Sequence, residues 1–120
     1  MRFDPNFPQA GRRETGRRGP WLRLLSEVLQ LGGTGAEILA HAETPWSSAT
    51  FTGARHRITL AFDGTDAAAV GEAYIAALPE HEFTVSGHLV ADAAIVSVEH
   101  RQAPTVRMTV EADLLLLEDC

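Results

Sequence analysis

The sequence has no lysine and a single cysteine, and each shortage narrows what the chain can do. With Cys120 alone, neither an intramolecular disulfide nor a cysteine-based zinc site can form, and the cytosol is the expected compartment. No apolar run approaches the ~18–20 residues that a membrane span requires. The four leucines at 114–117 read as a strand end, and no apolar stretch follows the N-terminal charges as a secretory signal would need. Phosphate-loop and nucleophile-elbow glycine patterns are missing too. His41, His56, His81, His88 and His100 show neither HxH nor HExxH spacing, so the sequence names no metal centre and no cofactor.

What is present divides the chain by charge. All ten basic residues are arginine, and Arg2, Arg12, Arg13, Arg17, Arg18 and Arg23 lie in the first 23 residues, opposed only by Asp4 and Glu14. The net charge of −6 therefore conceals a basic start and a strongly acidic remainder. Residues 1–19, rich in proline, glycine and arginine without periodicity, read as an extended, flexible arm. Residues 20–120 read as one domain with a single core. Guanidinium groups at Arg12, Arg13, Arg17 and Arg18 suit anionic partners: phosphate, or the acidic body of a neighbouring subunit. That acidic body disfavours nucleic acid.

Pro20 opens a helix at a position where its missing N–H costs nothing. Arg23, Ser26, Glu27 and Gln30 form one narrow polar face. Trp21, Leu22, Leu24, Leu25, Val28, Leu29 and Leu31 cover the rest, more than one core-facing stripe needs. From Ala36 the pattern turns to strands. Ile38, Ala40 and Ala42 alternate with polar or larger neighbours, and Pro45 is expected to end that ladder. The change of phase from Phe51 to Ile58, Leu60 and Phe62 suggests a bulge at Gly53. Thr65 is the expected cap of a second helix, where Val70, Ala73, Tyr74, Ala77 and Leu78 form the buried stripe. Gly71, costly inside a helix, marks a close approach to the sheet.

After Pro79, Phe83, Val85, Leu89 and Ala91 alternate as strand. The phase then flips near Asp92, which favours a second bulge over a turn. A closing strand from Thr105 to Leu117 points Val106, Met108, Val110, Ala112, Leu114 and Leu116 inward. Leu115 and Leu117 leave its end apolar on both faces. The reading is an α+β fold: an antiparallel sheet of about five long, bent strands with one packed helix, ββαβββ, preceded by an N-terminal helix. Its excess apolar positions, Trp21, Leu22, Leu25, Leu29, Leu115 and Leu117, are the expected oligomer interface. Asp63 and Asp66 flank the second helix, where paired carboxylates could do acid–base work, but loop and cap duties account for both.

Three segments, PWSSATFTGARHRITLAF, TDAAAVGEAYIAAL and SGHLVADAAIVSVEHR followed by VRMTVEADLLLLED, resemble the tail-completion, or tail-terminator, proteins of long-tailed phages and gene transfer agents. The resemblance implies a non-enzymatic assembly protein without cofactor. It implies a homo-oligomeric ring, of six subunits by family habit, that contacts tail-tube and connector proteins in a phage-like particle. The arginine-rich start departs from the family pattern. Two other readings remain at this stage: a small hot-dog enzyme whose sheet wraps one helix, and a nucleic-acid-binding module acting through the arm.

Overall fold

The computed structural model describes residues 11–118, with side chains described from Gly19 onward. Helix α1 (Gly11–Gly32) leads into β1 (Ala36–Ser47) and β2 (Thr52–Asp63). Helix α2 (Ala67–Ala77) and a 3-10 turn (Leu78–Glu80) then precede β3 (His88–Arg101) and β4 (Arg107–Glu118). The strands form one antiparallel sheet in the order β1-β2-β4-β3. The fold is α+β, with two helices on one face of the sheet.

Alternation explains the core. Ile58, Leu60 and Phe62 of β2 and Met108, Val110, Ala112, Leu114 and Leu116 of β4 all point toward the helices and are buried. Leu24 and Val28 of α1 and Ala67 and Tyr74 of α2 close over them in the same cluster. Removing such side chains from water is what holds the layers together, at about 1.5–3 kcal/mol for each large apolar group. The open face carries ion pairs: Arg57 donates to Asp113 at 3.2 Å in mid-strand, and at the strand ends Arg107 grips both oxygens of Asp63 at 2.7 and 3.1 Å.

Several expectations are corrected. Helix α1 begins at Gly11, so residues 11–19 are helical and Pro20 lies inside the helix rather than at its start. Residues 1–10 of the expected arm lie outside the described residues. Pro45 does not end β1, because an edge strand can turn its missing N–H away from the ladder. Asp66, not Thr65, occupies the cap position of α2, and its side chain makes no cap bond. Gly53 carries no bulge. It pairs in regular register with Trp46 and Leu117, and a Cβ there would strike the Leu116 carbonyl oxygen and lie 2.8 Å from Leu117 Cα.

Among the described residues the sheet has four strands, close to the about five expected. The alternating run that starts at Phe83 joins the ladder only from His88. Ahead of His88 the backbone N–H of Thr84 donates to the Glu27 carboxylate at 3.0 Å instead of joining a ladder, and Gly87 turns the chain at φ 76°. The bulge near Asp92 is present: register shifts between Val90 and Asp92, again between Ile95 and Ser97, and in β1 between Ile38 and Ala40. Nor does the sheet wrap a single helix as a hot-dog fold would. Helix α2 spans 11 residues and leaves Ala69, Glu72, Ala73 and Ala76 in solvent. Gly71 is the close approach the sequence suggested, since a Cβ there would overlap Met108 Sδ and sit 3.5 Å from Phe62 Cδ1.

Candidate assembly surface

The bulge in β1 decides what α1 meets. By omitting Leu39 from the ladder, it places His41 on the helix-facing side, opposite Ile58. One pair further along that side stand Glu43 and His56. His41 Nε2 and His56 Nδ1 come to 3.0 Å and share one hydrogen bond. Trp21, from the turn of α1 after Pro20, lies flat on His41, with ring centroids 3.6 Å apart and planes 8° from parallel. It also lies parallel to His56 at 5.3 Å.

His56 is 2% exposed, the one buried charged-type side chain among the described residues. Burial, and then repulsion from His56, lower the pKa of His41 to about 4. His56 is also lowered by burial, against the pull of the Glu43 carboxylate. Both lowered values favour neutral rings at neutral pH, which is compatible with one N–H···N bond between them. This stack anchors the start of the apolar part of α1. At its other end Glu27 holds His81 Nε2 at 2.9 Å and the Thr84 N–H, tying α1 to the segment before β3.

The six apolar interface candidates separate into three settings. Trp21 is turned inward onto the histidines. Leu115 and Leu117 are buried within the chain, on the open face of the sheet, with 7% and 5% exposure. Leu117 shares a cross-strand row with Trp46, Gly53 and Leu89. Leu22, Leu25 and Leu29 remain as a stripe along α1: Leu22 is 54% exposed, and all three line an open groove of about 580 Å³ with Ser26, Gln30, Gly33 and Thr34. The side chains of Arg12, Arg13, Arg17 and Arg18 lie outside the described ones, although their backbone belongs to α1.

Asp63 is held below the usual carboxylate range by its hydrogen bond from Arg107, which commits it to an ion pair rather than to proton transfer. Among the described residues, no three His, Cys, Asp or Glu side chains stand where they could hold a metal ion. No described helix is long and apolar enough to cross a membrane. The histidine pair was not legible in the sequence, because residues 41 and 56 carry no motif spacing. The signal that could have found it is a loss of alternation at Leu39.

No family model matches the chain, and no curated protein matches it. A solved chain described as "Virion of native gene transfer agent (GTA) particle" superposes with a TM-score of 0.54 at 17% identity, covering 84% of this chain and 93% of that one. The chain has the fold of a gene transfer agent virion protein. At this identity it is a likeness of fold.

Proposed function

We propose that the chain is a non-enzymatic structural protein of a phage-like particle, acting as a tail-completion subunit that self-associates into a ring and meets tail-tube and connector proteins. The observation that carries this reading is the near full-length fold match to a virion chain. The Leu22, Leu25 and Leu29 stripe supports it, since an apolar strip left open along a helix is the kind of surface that subunit contact covers. The acidic sheet domain and the arginine-rich start of α1 give copies of opposite local charge to present to one another.

Sedimentation velocity across a concentration series, read beside electron micrographs of the same sample, tests it. The parent chain is expected to form discrete ring-sized particles, alone or on addition of tail-tube protein. Leu22→Ser with Leu25→Ser, which spares the core-packed Leu29, should leave the fold intact and shift the population to single chains. A parent that stays monomeric at high concentration and fails to co-sediment with tail-tube protein would overturn the reading.

A further inference from the structure

A second cavity, of about 430 Å³, lies where the Trp21 end of α1 meets the sheet. Its lining carries two carboxylates and no arginine. Glu43 and Glu118 contribute carboxylates, and among the described residues neither is in an ion pair with an arginine. Glu118 accepts a bond from Thr52 Oγ1 at 3.3 Å, which leaves its second oxygen unengaged there. His88 donates from Nδ1 to the Ser86 carbonyl at 3.2 Å, which turns its Nε2 edge away from that bond. His56 lines the cavity although only 2% exposed, and its Nδ1 is taken by His41. The direction of the His41–His56 bond follows the tautomer, so Nε2 of His56 accepts when His56 is the donor and donates when His41 is. Pro20 and Pro45 have no backbone N–H to offer, and Ala54, Leu116 and the indole of Trp21 supply apolar walls.

Two carboxylates and an aromatic side chain, with no arginine in the lining, make a receptor for a planar cation. The chain itself carries such cations in quantity at Arg12, Arg13, Arg17 and Arg18. We infer that this cavity, bounded by Trp21, Glu43, His56, His88 and Glu118, receives arginine side chains from the 12–18 segment of a second copy. The inference rests on the assembly reading above and specifies one of its contacts. The apolar stripe of α1 would then supply hydrophobic area, and the cavity would supply registry, because a guanidinium fork fits carboxylates in few orientations.

The test needs no ring. A full-length chain carrying Trp46→Phe makes Trp21 the sole tryptophan, and Arg12→Gln, Arg13→Gln, Arg17→Gln and Arg18→Gln remove competition from its own segment. A synthetic peptide of residues 10–19 is titrated into it while Trp21 emission is recorded. Saturable binding that weakens as salt rises is expected, with roughly tenfold weaker affinity once Glu43→Gln and Glu118→Gln are added. The same peptide with its four arginines replaced by glutamine should not bind. Absence of a saturable change, or equal affinity for the glutamine-substituted cavity, would overturn the inference. Sedimentation of the parent separates the two claims. Self-association that survives Glu43→Gln with Glu118→Gln leaves the assembly reading standing and removes this contact. Peptide binding beside a strictly monomeric parent would place the segment in its own chain's cavity and overturn the second-copy occupant.

Discussion

His41 and His56 share a single hydrogen bond of 3.0 Å beneath the indole of Trp21, and that bond requires at least one ring to be neutral. The pair joins three elements at one point: α1 above, β1 and β2 below. Its protonation is therefore linked to whether α1 stays docked.

The sign of that linkage follows from direction. Burial lowers the pKa of His41 from 6.5 to about 4, so between those values the unfolded chain binds the proton and the folded chain does not. The contribution of His41 is fully present above pH 6.5, declines as pH falls through the window, and is exhausted near pH 4. Urea midpoints measured from pH 7.5 downward should fall across this range. His41→Gln should show a shallower fall over the same interval, and parallel curves for the two proteins would refute the assignment.

Gly53→Ala should be among the most damaging small changes in the chain. The new methyl would meet the Leu116 carbonyl and the Leu117 Cα of the adjoining central strand, and backbone cannot move aside cheaply. A loss at or above ~3 kcal/mol is expected from overpacking of this kind. Chemical denaturation is the check, and a stability within experimental error of the parent would mean that β2 and β4 can separate locally.

Gly71 offers the contrast. A methyl there presses on Met108 Sδ, part of a flexible side chain, while alanine gains roughly 1 kcal/mol of helix propensity over glycine. Gly71→Ala is expected to lie within about 1 kcal/mol of the parent, and Gly71→Leu to lose ~1–3 kcal/mol. Comparing the two by thermal unfolding isolates side-chain volume from helix propensity.

Glu27→Ala should cost about 1–2 kcal/mol, because it strips the Thr84 N–H and the His81 ring of their shared acceptor. Hydrogen exchange should show the loss concentrated at Thr84 and its neighbours. Uniform loss across the sheet would argue instead that Glu27 matters through packing.

Tyr74 is fully buried, and its hydroxyl has no hydrogen-bond partner among the described residues. Burial pushes its pKa well above the ordinary tyrosine value. Tyr74→Phe keeps the ring packed against Phe62 at 5.6 Å and removes an unsatisfied polar atom. The variant is expected to be as stable as the parent or more so, by up to ~1 kcal/mol. A clear loss would reveal a partner for the hydroxyl.

The sequence was most readable where one physical rule acted alone. In β4 strict alternation from Met108 to Leu116 named the buried face, because a central strand has no other use for those side chains. The phase flip near Asp92 announced its bulge, and Gly71 announced a close contact. Reading failed where two rules competed. Phe83 and Val85 alternate like a strand, yet the Glu27 carboxylate claims the Thr84 N–H. Gly11 to Gly19 is poor helix sequence by propensity, yet α1 runs through it. The histidine pair was hidden by the Leu39 bulge, which changes faces without any glycine or proline to mark it. Alternation alone does not say how well a sheet covers its own open face: Leu115 and Leu117, expected at an interface, are 7% and 5% exposed in the single chain.

The irregular strands at the two margins of the sheet carry a consequence for how copies can meet. Strand β1 has a bulge at Leu39 and a proline at 45, and β3 has register breaks at Ala91 and Val96. A neighbouring backbone laid along either margin would lose its ladder within a few residues, so strand-by-strand growth into an endless ribbon is blocked. Any association between copies would then fall to side-chain contacts, which can be finite, counted and reversible.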